Sequence, residues 1–256
     1  MPVENDAVLS SNEGSITRIT LNRPEKRNAL NEELIAGVIG SLREADSDER
    51  TRAIVISGSG KDFCSGADLS ALERISAASV AENLHDARSL VELFLLIRKA
   101  QVPVVAAVRG RALAGGCGLA SACDIVLASN SARFGYPEVK IGFVPAIVMA
   151  ILLRNVSEKR AFELLTRGEE IGAEEANQIG LVNRVFEDET FDNEVTAYVQ
   201  RFEKTSKSAV SLTKSLLYQI DGLAFLEALE AGADVNVIAR MSDDCRQGIA
   251  RFLQKR

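Results

Sequence analysis

The sequence predicts an α/β fold with a helical C-terminal region, and three observations carry that reading. Short apolar runs alternate with helical patterns through the first half. From about Pro145 the pattern turns helical to the end. Four of the eighteen glycines, Gly110, Gly115, Gly116 and Gly118, crowd one strand-to-helix junction. Strand–helix alternation implies crossover units and a mostly parallel sheet. We place the α/β core at residues 1–190 and the helical region at 191–256.

Taken in order, the strands are expected at Ser15–Leu21, Ala53–Ser57, Pro103–Val108 and Asp124–Ala128. Val104, Val105 and Val108 suit a strand buried on both faces. Helical patterns cover Asn31–Ala45 and about Val80–Lys99. Asn31, followed by Glu32 and Glu33, is a candidate N-cap with acids facing the helix dipole. In the second helix Leu84, Ala87, Val91, Phe94 and Leu95 recur at helical spacing. Further on, Phe191, Val195, Tyr198, Val199 and Phe202 form one apolar stripe, and Val210, Leu216, Leu217 and Ile220 another. Ser242 caps a last helix, with Asp243 and Asp244 in its first turn and Cys245, Ile249, Phe252 and Leu253 on its apolar face.

Composition excludes several classes of function. A chain of 256 residues that is 46% hydrophobic can bury a sizeable core. The net charge of −6 argues against nucleic acid or an anionic membrane as main partner. No run approaches the ~18 apolar residues that span a bilayer. The opening MPVENDAVLSSNEG reads as neither signal peptide nor transit sequence, so a cytoplasmic location is expected. Cys64, Cys117, Cys123 and Cys245 form no CxxC and are expected to be reduced thiols. His85 is the sole histidine. It groups with Arg88 and Glu92 on the polar side of its helix, so a solvated position is expected, and no metal site.

The glycine cluster VRGRALAGGCGLASACDIV either lets a backbone approach a ligand at a helix N-terminus or serves tight strand–helix packing. Nucleotide motifs fail here. Gly116–Ser121 lacks the last glycine of GxGxxG, and Gly60-Lys61 is followed by Asp62 rather than Ser or Thr. A second small-residue loop, Gly58 to Leu69, also runs from a strand end into a helix. Two such loops from parallel strands share one sheet edge, and one N–H from each could converge on one oxygen. A third segment, Arg133–Val139, carries Glu138. A lone turn glutamate is usually solvated. In an apolar cleft near an oxyanion hole it would be an acid/base with a raised pKa.

Five segments, in order, resemble the crotonase family, also called the enoyl-CoA hydratase/isomerase family. They are ITLNRPEKRNAL (Ile19–Leu30), DFCSGADL (Asp62–Leu69), AGGCGLASACDIVLAS, FGYPEVKIGFVP (Phe134–Pro145) and GIARFLQKR (Gly248–Arg256). The resemblance implies a spiral of ββα units with a helical C-terminal trimerisation region, assembled as homotrimers often paired into hexamers. It implies that the Ala67 and Gly115 amides form an oxyanion hole for a thioester oxygen. Lys26, Arg27, Ala67, Asp68 and Leu69 would lie along coenzyme A, and Lys255 would reach its 3′-phosphate from a neighbouring subunit. Glu138 would move protons at the acyl carbons. Coenzyme A belongs to the substrate, and no separate cofactor is implied.

One departure bears on the reaction. Where two-glutamate hydratases of the family carry a second glutamate, this chain has Gly118. Syn addition of water needs a base for the water and an acid for C2, and one carboxylate can serve both in sequence. It can equally carry a proton between C2 and C4. The implied activity is therefore an enoyl-CoA hydratase, with Δ3,Δ2-enoyl-CoA isomerase or an acyl-CoA-binding relative as alternatives. Loss of the side chain at Gly118 is expected to widen the pocket there, and the apolar run Phe143–Met149 to wall its acyl end. Asp68, Tyr136 or a held water are the candidates to replace the second carboxylate.

Overall fold

The computed structural model describes residues 6–254. The first part of the chain contributes β1 (Val8–Glu13), β2 (Ile16–Leu21), α1 (Glu32–Ser47), β3 (Ala53–Gly58), α2 (Leu69–Ala77) and α3 (Val80–Lys99). The centre adds β4 (Val104–Val108), β5 (Arg111–Leu113), α4 (Gly115–Ala122), β6 (Ile125–Ser129), β7 (Arg133–Gly135), α5 (Ala146–Leu152) and α6 (Glu158–Arg167). Then come β8 (Glu170–Gly172), α7 (Ala173–Gln178), β9 (Arg184–Phe186), α8 (Phe191–Val199), α9 (Lys207–Gln219), α10 (Phe225–Met241) and α11 (Asp243–Gln254).

The main sheet runs β1-β2-β3-β4-β6-β9, antiparallel between β1 and β2 and parallel elsewhere. Its strands alternate strictly between two cores, as a period of two requires. Ile54, Ile56, Val104, Ala106 and Val126 face α1 and α3, where Leu34, Val38, Leu93, Phe94 and Ile97 meet them. Ala53, Val55, Val105, Ala107 and Leu127 face Phe191, Val195 and Val199 of α8. All five residues of β4 are buried, which explains its unbroken apolar run. Each large aliphatic side chain so buried is worth ~1.5–3 kcal/mol.

Local signals set the helix starts. Asn31 Oδ1 accepts from Leu34 N at 2.9 Å. Ser79 and Glu82 form a capping box at α3, and Ser242 Oγ accepts from Cys245 N at 3.2 Å. No helix among the described residues is long and apolar enough to cross a membrane.

Four expectations require correction. The second half is not wholly helical, because β9 completes the main sheet and β8 joins β7 in a second one, β5-β7-β8. These strands have three residues each, too short for an alternation to show. On α3 the buried residues are Leu93, Phe94 and Ile97, whereas Leu84, Val91 and Leu95 of the predicted stripe are exposed. On α9 Leu217 is exposed, and the buried residue is a lysine, Lys214. Finally, Phe143 and Val144 are exposed rather than forming a closed wall, while Val148 further along is buried.

Candidate active site

The two glycine-bearing loops lie directly against each other. Cys64 bridges Ala112 in parallel fashion. Its N–H donates to Arg111 O at 3.0 Å, and its carbonyl accepts from Leu113 N at 2.9 Å. A Cβ on Gly116 would lie 2.2 Å from Cys64 O, so no side chain fits at this crossing. Gly66, at φ +92°, stands where a Cβ would meet Ala114 Cβ at 2.7 Å. Ala67 and Gly115 are the residues that directly follow Gly66 and Ala114 at this contact.

On its other side Ala67 is bridged to Leu30, through Leu30 N–H to Gly66 O (2.7 Å) and Asp68 N–H to Leu30 O (3.1 Å). In such a parallel bridge, the residue between the two bonded neighbours turns its own N–H away from the partner strand. The Ala67 amide therefore points away from Leu30. Gly115 is the first residue of α4, where the N–H has no partner within the helix. Ala114 before it adopts φ 51°, ψ −125°, a region that costs a non-glycine residue on the order of 1–3 kcal/mol. Its N–H is anchored to Gly135 O at 2.8 Å. That conformation fixes the plane of the peptide carrying the Gly115 amide.

Glu138 reaches the same region from the neighbouring strand. β5 and β7 pair with Leu113 opposite Gly135, and the turn Pro137–Ile141 that follows β7 carries Glu138. The side chain is half-buried, and its Oε2 is fully buried with no hydrogen-bond partner among the described residues. Desolvation raises its pKa, opposed by a hydrogen bond from its own backbone amide. Tyr136, fully buried, places its hydroxyl 3.2 Å from Ser121 Oγ, which donates to Cys117 O at 2.7 Å. Burial pushes the Cys117 thiol up to about 11, so this layer stays uncharged.

Lys26 and Arg27 are exposed on a tight turn that is tied to the first loop by Ser65 N–H donating to Arg27 O at 3.0 Å. Sequence reasoning missed Asn28, which holds that turn. Its Nδ2 donates to Ser59 O (2.9 Å) and Asp62 O (2.8 Å), and its Oδ1 accepts from Arg23 N. The signal was faint, one asparagine in NRPEKRNAL.

Asp68 is buried, pairs with Arg23 at 2.8 Å and caps α2 through Ser70 N at 3.0 Å. The Arg23 and Ser70 hydrogen bonds bring its pKa down to about 2. A carboxylate so held is a structural anion and does not replace a missing acid. Leu69 opens α2, but its side chain and all of Lys255 lie outside the described residues.

The expected widening at Gly118 is not found. A Cβ there would meet Val148 Cγ1 at 2.3 Å and Phe94 Cζ at 3.3 Å. α5 packs its valine into the space a side chain would need, so the position is filled and apolar. A cavity of about 820 Å³ lies instead between α3, α5 and α9, lined by Phe94, Arg98, Ile147, Arg154 and Tyr218, and does not include Glu138.

Comparison with known proteins gives a consistent picture. A family profile described as enoyl-CoA hydratase/isomerase matches residues 11–256. A relative from Thermus thermophilus, provisionally named an enoyl-CoA hydratase, is 40% identical over 95% of this chain and 96% of its own. The 2,3-dehydroadipyl-CoA hydratase of Escherichia coli is 33% identical, over 97% and 96%. A crystal structure of an enoyl-CoA hydratase from Mycobacterium smegmatis superposes with a TM-score of 0.93 at 32% identity, covering 98% of this chain and 97% of the other.

Proposed function

The chain belongs to the enoyl-CoA hydratase/isomerase family and has the crotonase fold, and from that premise we propose that it hydrates a 2-enoyl-CoA thioester. The Glu138 carboxylate takes a proton from water as the water oxygen bonds to C3. The C2=C3 electrons move onto the thioester oxygen, between the Ala67 and Gly115 amides. The protonated Glu138 then returns its proton to C2. No cofactor is needed beyond the coenzyme A of the substrate, along which Lys26, Arg27, Asp68, Leu69 and Lys255 would lie.

The observation that carries this reading is the Glu138 Oε2, buried without a partner among the described residues, on the turn that follows β7, the strand paired with the one that leads to Gly115. A desolvated carboxyl with a raised pKa is suited to both halves of a proton transfer. Two backbone donors aimed at one oxygen would supply much of the acceleration, at ~2.7–4 kcal/mol each.

A second reading, Δ3,Δ2-enoyl-CoA isomerisation, is favoured by the filling of the Gly118 position with Val148 and Phe94. No second carboxylate fits there, and a sole carboxylate can move one proton between C2 and C4. Purified protein is assayed at the conjugated-enone absorbance. A steady fall with crotonyl-CoA supports hydration, and a rise with a 3-enoyl-CoA supports isomerisation. Binding of acyl-CoA with neither change would leave a binding protein. Glu138→Gln is expected to lower turnover ~10²–10⁴-fold with acyl-CoA affinity retained, and near-normal turnover would remove Glu138 from the mechanism.

Assembly as a homotrimer, or a hexamer of paired trimers, is part of the same proposal. It is supported by Leu226, Leu229, Val237 and Ile238 of α10 and Ile249 of α11, all exposed on the single chain.

A further inference from the structure

We propose that Tyr136 is a positioning residue, whose hydroxyl bridge to Ser121 locks the Glu138 turn onto the helix that carries the Gly115 amide. The inference rests on the functional reading above and concerns how the acid/base is held.

Tyr136 stands two residues before Glu138, at the start of its turn, and is among the largest side chains with no exposure. Aromatic rings bury well without a hydroxyl, and a buried hydroxyl must find partners. This one lies 3.2 Å from Ser121 Oγ. Ser121 in turn donates to Cys117 O at 2.7 Å. Ser121 and Cys117 both belong to α4, whose first residue is Gly115. The backbone bond from Ala114 to Gly135 ties the same two segments one step earlier. The backbone bond fixes where the segments meet, and the side-chain bridge fixes how the turn beyond Tyr136 is rotated.

The rotation decides whether the Glu138 carboxyl stays in its partnerless buried position or swings to water. Cys117 and Tyr136 are the titratable neighbours that register its charge, and burial keeps both neutral. Among the described residues no cation pairs with Glu138 to hold the carboxylate there by attraction. Orientation must come from the frame, and small misplacements of a reacting group are expensive in rate.

The test compares wild type, Tyr136→Phe, Ser121→Ala and the double variant. Turnover is followed across pH 5–9, thermal melting is recorded, and the Glu138 carboxyl is titrated by carbon NMR. Tyr136→Phe is expected to lower kcat about tenfold with KM unchanged. It should also bring the Glu138 pKa back toward its ordinary 4.5, moving the acid limb of the profile to lower pH.

Removing both partners of a buried bond is close to neutral for stability. The double variant should therefore melt nearer wild type than Ser121→Ala does, yet remain as slow as Tyr136→Phe. A Tyr136→Phe protein with wild-type kcat and an unmoved Glu138 pKa overturns the proposal. A double variant that regains turnover together with melting temperature overturns it too, since the bond would then serve only stability. Were the wild type inert toward every enoyl-CoA, the functional reading would fail, and the NMR titration would still decide the role of Tyr136.

Discussion

At Glu138 burial outweighs the one hydrogen bond its carboxyl receives, so the folded state favours the protonated form. A folded-state pKa above the unfolded value means that ionising the group costs stability as pH rises through the folded pKa. Glu138→Gln should therefore match wild type in stability below about pH 4, where both states are protonated. It should be the more stable protein at neutral pH. Urea midpoints at pH 3.5 and 7.5 measure this, and a gap that is equal at both would contradict the raised pKa. Gly118 gives the second residue-scale prediction. Gly118→Ala drives a methyl into Val148 and should cost ~1–3 kcal/mol by overpacking. Adding Val148→Ala should recover part of that loss in the same denaturation experiment.

Among the elements, α9 is attached to the core by a buried charge rather than by an apolar stripe. Lys214 Nζ donates to Ile97 O (2.8 Å), Val102 O (3.0 Å) and Asp124 Oδ2 (2.6 Å). Asp124 Oδ1 accepts from Tyr218 at 2.7 Å. Burial lowers the lysine pKa, and the Asp124 carboxylate opposes that shift. Breaking such a pair from one side strands the other charge, so Lys214→Met should cost ~3–5 kcal/mol in a urea titration. Combining it with Asp124→Asn should restore some of the loss, because the stranded charge is then gone. An unchanged midpoint for Lys214→Met would show that α9 is held by its apolar contacts alone. The α2 start and the Lys26–Arg27 turn are likewise organised by side chains, Asp68 with Arg23 and Asn28 with three backbone groups.

For the whole molecule, the described part of the C-terminal region, residues 191–254, divides sharply. Phe191, Val195 and Val199 of α8 close the second core of the main sheet, while α10 and α11 contain no buried residue. Apolar helices left open to water call for a partner surface. Light scattering is expected to give three or six copies of the chain. Leu229→Glu together with Ile249→Glu should lower that mass toward one copy while circular dichroism keeps the helical signal. A wild-type protein that runs as a monomer would refute the proposed assembly.

The alternation of strands and helices, the caps at Asn31 and Ser242, and the glycine-rich junctions are written locally, since each depends on residues within a turn or two. The five ordered segments carried the family, and with it Ala67, Gly115 and Glu138 as candidates. Three-residue strands are too short to announce themselves, and β8 and β9 gain their identity only from the strands they pair with. Short-range pattern likewise found Phe94 but hid the rest of the covered face of α3, because Leu84, Val91 and Leu95 are as apolar as Leu93 and Ile97. Only the position of the sheet distinguishes the two sets.

The sequence by itself determined the parallel α/β core and the small-residue loops, and marked Glu138 as the candidate acid, because periodicity and glycine placement act at short range. The tertiary structure decided what fills the space beside Gly118, which face of each helix is covered, and how deeply Glu138 Oε2 is buried. Those outcomes depend on residues such as Val148, Ser121 and Lys214, which lie far along the chain and become neighbours only when the core closes.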